Sequence, residues 1–229
     1  MFRETVHHAG GATQGIASEA HALLILRRGA RRGCHIEAST DGGVLVSWTR
    51  REPRGALAHR SISLVPQMPV GTLTDAVLRD LAAVAGLRPA RYGRDSIGRR
   101  VILAGLAEIG ATRTAALRAR QLVTDDRAGA VRLTLTARLG MLAAAHRTTT
   151  TEPHGWDRAG ALSAGLNRPG GRAGMLRSSA SAATCSCGQL HAWGGDRDEA
   201  RRLGRDHRRD MARAFVEALP VDFTTAVTA

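Results

Sequence analysis

The chain has 229 residues, with 33 basic against 20 acidic side chains for a formal charge of +13, and is 43% hydrophobic but only 3% aromatic. A chain of this length buries roughly 70% of the surface its unfolded form exposes, and with three Phe, three Trp and one Tyr its core is expected to be built from Leu, Val, Ile and Ala. Three cysteines are too few for a disulfide framework, and the longest uncharged apolar run near the N-terminus, Ala22–Leu26, is far below the ~20 residues of a membrane helix, so a reducing cytoplasm without membrane contact is expected.

Every one of the 33 basic residues is arginine, a planar and permanently charged fork suited to phosphate or to guanine edges. A net charge this positive makes a polyanion the leading partner. The arginines are unevenly spread: residues 1–70 hold 9 against 5 acids, 71–147 hold 13 against 6, 148–184 hold 4 against 2, and 185–229 hold 7 against 7. The positive field is therefore expected over 71–147.

Along the chain, IASEAHALLILRR (16–28) repeats apolar residues at spacings of three and four, which predicts a short amphipathic helix. The β-rich runs Cys34–Thr40 and Val44–Arg50 flank Asp41-Gly42-Gly43, residues suited to a tight turn, and predict a hairpin; Ser61–Val65 alternates as a third strand that ends at Pro66. Residues 1–70 thus read as a helix and a three-stranded meander. Thr72 or Thr74 can cap a helix carrying Leu73, Val77, Leu81 and Val84, which Gly86 stops. A loop and a strand, Val101-Ile102-Leu103, follow. Residues 148–184, dense in Thr, Ser, Gly, Ala and Pro, read as a linker.

Between Gly110 and Arg147 the predicted elements are a helix (Thr112–Gln121), a strand (Leu122–Thr124), a turn (Asp125–Gly129), a returning strand (Ala130–Leu133) and a helix opening near Thr134 or Thr136. A hairpin of this kind covers one end of the helices and leaves the preceding helix on the surface, at a width that a major groove accepts. These residues resemble winged helix-turn-helix regulators, including the MarR-like group, whose wing reads L-x-x-x-G-L-V, an acidic-Arg turn, then V-x-L-T-x-x-G. Leu117, Leu122, Val123, Asp126, Arg127, Val131, Leu133 and Thr134 fill those positions, and Gln121 and Ala137 stand at the two glycines. The resemblance implies duplex-DNA binding, with Thr112, Arg113 and Arg118 reaching into a groove and Arg120, Arg127 and Arg132 on phosphates.

In the tail, Asp196 or Asp198 caps a helix running to Leu219, with Ala200, Leu203, His207, Met211, Ala214 and Ala218 on one stripe. Cys185, Cys187, His191 and His207 form an S2N2 set that could hold a tetrahedral Zn²⁺. The Cys-Ser-Cys spacing is tighter than the usual two-residue spacer, so the preferred expectation is no cofactor, with a half-buried cysteine pair and a core histidine. His35-Ile36-Glu37 has the form of the H-x-E element of zinc nucleobase deaminases but lies in a predicted strand, with no P-C-x-x-C downstream. No phosphate-binding loop follows a strand, so a non-enzyme is expected.

The fold class expected is α+β: a helix and small N-terminal β-meander (1–70), a winged-helix-like DNA-binding domain (71–147), a linker (148–184), and a Cys/His turn with a C-terminal helix (185–229). The function expected is a DNA-binding transcriptional regulator, which can act as a homodimer on double-stranded DNA. The rival is a protein-interaction adaptor whose basic face meets an acidic partner.

Overall fold

The structure, a computed structural model, describes residues 1–8, 10–51, 57–67, 73–86, 88–126, 128–151 and 181–219. It is mixed α and β, with five helices and three antiparallel sheets among the described residues, and it ends in a helix. The chain divides into a first unit, Met1–Ala144 with Met211–Ala229, and a second, Ala145–Asp210.

The first sheet of the first unit is built from β1 (Phe2–His8), β2 (Gly11–Ala17), β3 (His35–Ala38), β4 (Val44–Arg51) and β5 (Leu57–Pro66), in the order β2-β1-β5-β4-β3. The two-residue period of the strands puts Val44, Val46, Leu64 and Ile36 in register on one face. Against these pack Ala22, Leu23, Leu26 and Ala30 of α1 (Glu19–Arg31), and the Ser18 hydroxyl caps that helix by accepting the His21 N–H. The sequence predicts three strands here and a helix over 16–28. The chain instead forms an additional N-terminal hairpin, β1–β2, and starts the helix at Glu19. Ile16 is consumed in strand pairing with Arg3, which apolar spacing alone does not reveal.

The second sheet runs β8-β7-β6-β10-β9, from β6 (Ala90–Arg94), β7 (Arg100–Ala104), β8 (Ala107–Ile109), β9 (Val123–Asp125) and β10 (Ala130–Leu133). β10 pairs with β6 through Ala130↔Arg91 and Val131↔Ala90, which joins the hairpin β9–β10 to the upstream strands. Helices α2 (Asp75–Val84), α3 (Ala111–Ala119) and α4 (Leu135–Ala145) each contribute to the core beside it, through Leu81, Leu117 and Ala137. Leu81, Ile102, Ile109, Leu117, Leu122 and Leu133 form a buried cluster on its covered side. Where the sequence suggests a loop and one strand over 87–105, the chain makes the hairpin β6–β7 and continues into β8.

The second unit holds β11 (Thr148–Thr150), β12 (Ser181–Cys185) and β13 (His191–Gly194) in the order β11-β12-β13, with the first part of α5 (Arg197–Ala218). Both described ends of the expected linker are therefore strands, paired Thr148↔Cys185 to Thr150↔Ala183; its interior, 152–180, lies outside the described residues. Asp196 caps α5 by accepting the Glu199 N–H at 2.7 Å. The apolar stripe expected on α5 shifts along the helix: Ala214 and Ala218 are exposed, and Ala212, Val216 and the following Leu219 are buried in the first unit's core. Among the described residues, no helix is long and apolar enough to cross a membrane.

Candidate basic groove and metal centre

The β6–β7 register pairs Tyr92 with Ile102 and Arg94 with Arg100, so Tyr92, Arg94 and Arg100 project from one face of the second sheet. The Arg100 guanidinium lies 5.0 Å from the centre of the Tyr92 ring, and Arg118 of α3 lies 5.5 Å from the same centre. Stacking on a tyrosine face holds a guanidinium in place without neutralising it. A groove of about 350 Å³ opens beside them, lined by Arg99, Arg100, Ala111, Thr112, Thr114, Ala115 and Arg118, in which Arg99 is already paired, its Nε donating to Asp95 Oδ2 at 2.8 Å.

Of the six residues that the sequence points to for DNA, Thr112 and Arg118 share this groove. Arg113 turns to α2, where its Nη1 donates to Asp80 Oδ1 at 2.9 Å. Arg132 donates from Nε to Asp126 Oδ2 at 2.7 Å. The Asp126 carboxylate also accepts the N–H groups of Ala128 and Ala130 at 2.9 and 2.8 Å, and these bonds, the Ala130 N–H foremost, hold it below its ordinary value against a smaller effect of burial. Arg120 is the residue that closes α3, and Arg127 lies outside the described residues. Arg99 and Arg100 are the groove residues that the sequence reading passes over. The Gly98-Arg99-Arg100 turn carries two adjacent charges, but only the strand register aims Arg100 at Tyr92.

The second unit contains a separate constellation. His146 follows α4, Cys185 ends β12, Cys187 lies in the next turn, and His207 projects from α5; their donor atoms all lie within 4.8 Å of one another. Cys187 Sγ is 3.3 Å from His207 Nε2, Cys185 Sγ is 3.9 Å from His146 Nδ1, and the two imidazoles meet edge to face with centres 5.5 Å apart. This group could hold a metal ion.

No family model matches the chain, and no curated protein or solved structure matches it.

Of the S2N2 set named from the sequence, Cys185, Cys187 and His207 lie together, and His146 stands in the place of His191. His191 is exposed on β13, with its ring 6.4 Å from that of Trp193. Burial, and secondarily the His207 ring, holds His146 below the ordinary imidazole value. Burial pushes the Cys185 thiol up. Burial acts the same way on Cys187, but the Gln189 N–H, 3.4 Å from its sulfur, and the Cys185 thiol outweigh it, so Cys187 sits below the ordinary thiol value.

Proposed function

We propose that the protein binds double-stranded DNA through the first unit, with the Arg100–Tyr92–Arg118 groove on the phosphate backbone. The observation that carries this reading is the convergence of Arg100 and Arg118 on one tyrosine face, beside a groove that also holds Thr112. Groups of this kind recognise phosphate oxygens by charge and by directed N–H donation. In this reading α3, the hairpin β9–β10 and α4 act as a winged-helix-like module, α3 approaches the major groove, and transcriptional regulation is its use. Such binding calls for no cofactor, and three free cysteines fit a reducing cytoplasm.

The test is binding of a random-sequence duplex to the full chain across a salt series. Phosphate contacts make the logarithm of affinity fall with the logarithm of salt, by about 0.9 per contact, and the double variant Arg100→Ala, Arg118→Ala should flatten the slope by about two contacts. Absence of binding at low salt, or a slope that the double variant leaves unchanged, refutes the reading. In the second case the polyanion site lies elsewhere on the chain.

A further inference from the structure

We infer that His146 Nδ1, Cys185 Sγ, Cys187 Sγ and His207 Nε2 bind one Zn²⁺ that closes the second unit of the fold. This goes beyond DNA binding and does not depend on it, because all four residues lie in Ala145–Asp210.

The donor geometry is the first argument. With Zn–S near 2.3 Å and Zn–N near 2.0–2.1 Å, the edges of a tetrahedral S2N2 site measure roughly 3.3–3.8 Å. Two of the six edges here stand at 3.3 and 3.9 Å, and all six are within 4.8 Å. Thiolate and imidazole together favour Zn²⁺ over the hard cations, which prefer oxygen. All four tetrahedral positions come from protein, so no position is left for a substrate and the ion's role is structural.

The second argument is how a one-residue spacer succeeds. Ser186, between the cysteines, is fastened to the segment that carries His146: its Oγ donates to the Ala145 carbonyl at 2.9 Å and accepts the Arg147 N–H at 3.0 Å. Its own N–H donates to the Arg147 carbonyl at 3.0 Å. The turn is closed by the Gly188 N–H donating to the Cys185 carbonyl at 3.0 Å, and the Gln189 N–H points to the Cys187 sulfur at 3.4 Å. An amide directed at a sulfur and a spacer anchored to a neighbouring ligand's chain segment are the supports that orient metal ligands. Here the turn supplies the amide of Gln189, and the segment carrying His146 supplies the anchor for Ser186.

The third argument is energetic. Among the described residues of this unit the buried side chains are small: Ser181, Ala182, Ala183, Cys185 and Ala200. Neither apolar core cluster contains a residue of the unit. Apolar burial scales with area removed from water, so these contribute little, and folds with too little core are commonly closed by disulfides or a metal. His146, the cysteines and His207 come from three separate chain segments, and one ion would tie the sheet to the middle of α5.

Elemental analysis of the full chain purified with reductant, and Co²⁺ titration of the metal-stripped full chain followed by thiolate-to-cobalt absorption, test this directly. Expected are about one zinc per chain and a cobalt spectrum with sulfur charge-transfer bands. His146→Ala should weaken cobalt affinity beyond the ~10–100-fold that loss of a supporting outer partner brings, and His191→Ala should bind as the unsubstituted chain does. The unsubstituted titration decides metal binding even where a variant fails to fold. No zinc and no cobalt spectrum overturns the inference, and so does a site that survives His146→Ala but is lost in His191→Ala.

Discussion

The Leu122 backbone N–H donates to the Leu117 carbonyl at 2.9 Å, and one residue earlier the Gln121 N–H donates to the Arg118 carbonyl, also at 2.9 Å. This pair of bonds, with Leu117 and Leu122 both buried, is a Schellman closure of α3, and it requires a left-handed residue between helix and strand. Gln121 occupies that position with φ +50°, alone among the described non-glycine residues in having a positive φ. It is also where the winged-helix pattern has glycine. Gln121→Gly should therefore raise stability by ~0.5–1 kcal/mol, the relief of strain exceeding glycine's added chain entropy. Urea unfolding of the full chain checks this; an unchanged or lower midpoint would mean that the left-handed turn carries no strain.

Gly42 and Gly33 separate backbone strain from steric exclusion. Both have positive φ, +78° and +68°, but a Cβ on Gly42 would meet Thr136 Cγ2 at 2.5 Å and the Thr136 carbonyl oxygen at 2.7 Å, whereas one on Gly33 would meet nothing within 4 Å. Gly33→Ala should cost about 1 kcal/mol from strain alone. Gly42→Ala should cost at least ~1 kcal/mol more, because the Asp41–Gly43 turn must back away from α4. Equal losses would show that the turn moves freely.

Glu19 sets a pH dependence. Its carboxylate accepts the Leu135 N–H at the start of α4, and burial, the dominant influence, raises its pKa above the ordinary 4.5 despite that bond and the nearby Arg138. The folded chain therefore holds this proton more tightly than the unfolded chain, so stability falls as pH rises from the ordinary value through the raised one. Glu19→Gln keeps an acceptor for Leu135 and removes the titration. The difference in unfolding free energy between variant and unsubstituted chain should shift in the variant's favour over that interval and stay flat above it. A difference independent of pH would contradict the burial argument.

Arg113 and Arg118, both on α3, should part company in mutagenesis. Arg113→Ala leaves Asp80, whose side chain is only 10% exposed, without its ion-pair partner, and should lower stability by ~1 kcal/mol with little change in the salt slope of DNA binding. Arg118→Ala should flatten that slope by ~0.9 and leave the unfolding midpoint nearly unchanged. The two readouts, taken on both variants, check the assignment; a slope change in Arg113→Ala equal to that in Arg118→Ala would place both on phosphate.

Local patterns in the sequence were enough to locate the hairpin β3–β4, the helices α1 to α4 and α5 within a few residues, and the order helix, hairpin, helix over 110–147. Each depends on short-range signals: the Asp-Gly-Gly turn, helical spacing of apolar residues, and caps such as Thr74 and Asp196. Composition alone established that the basic charge is all arginine and is concentrated in the middle of the chain. Strand partnership, by contrast, is a contact between distant segments. The pairing of β1 with β5, of β10 with β6 and of β11 with β12 follows from which faces can be buried together, and Gly11–Ala17, with almost every residue exposed, has no apolar alternation to announce it. The same holds for both sites. Arg100 is aimed by the β6–β7 register, and His146 becomes a candidate ligand only because the end of α4, the β12 turn and α5 converge. A side chain's neighbours across such distances are fixed by packing of the whole unit, and no spacing along the chain encodes them.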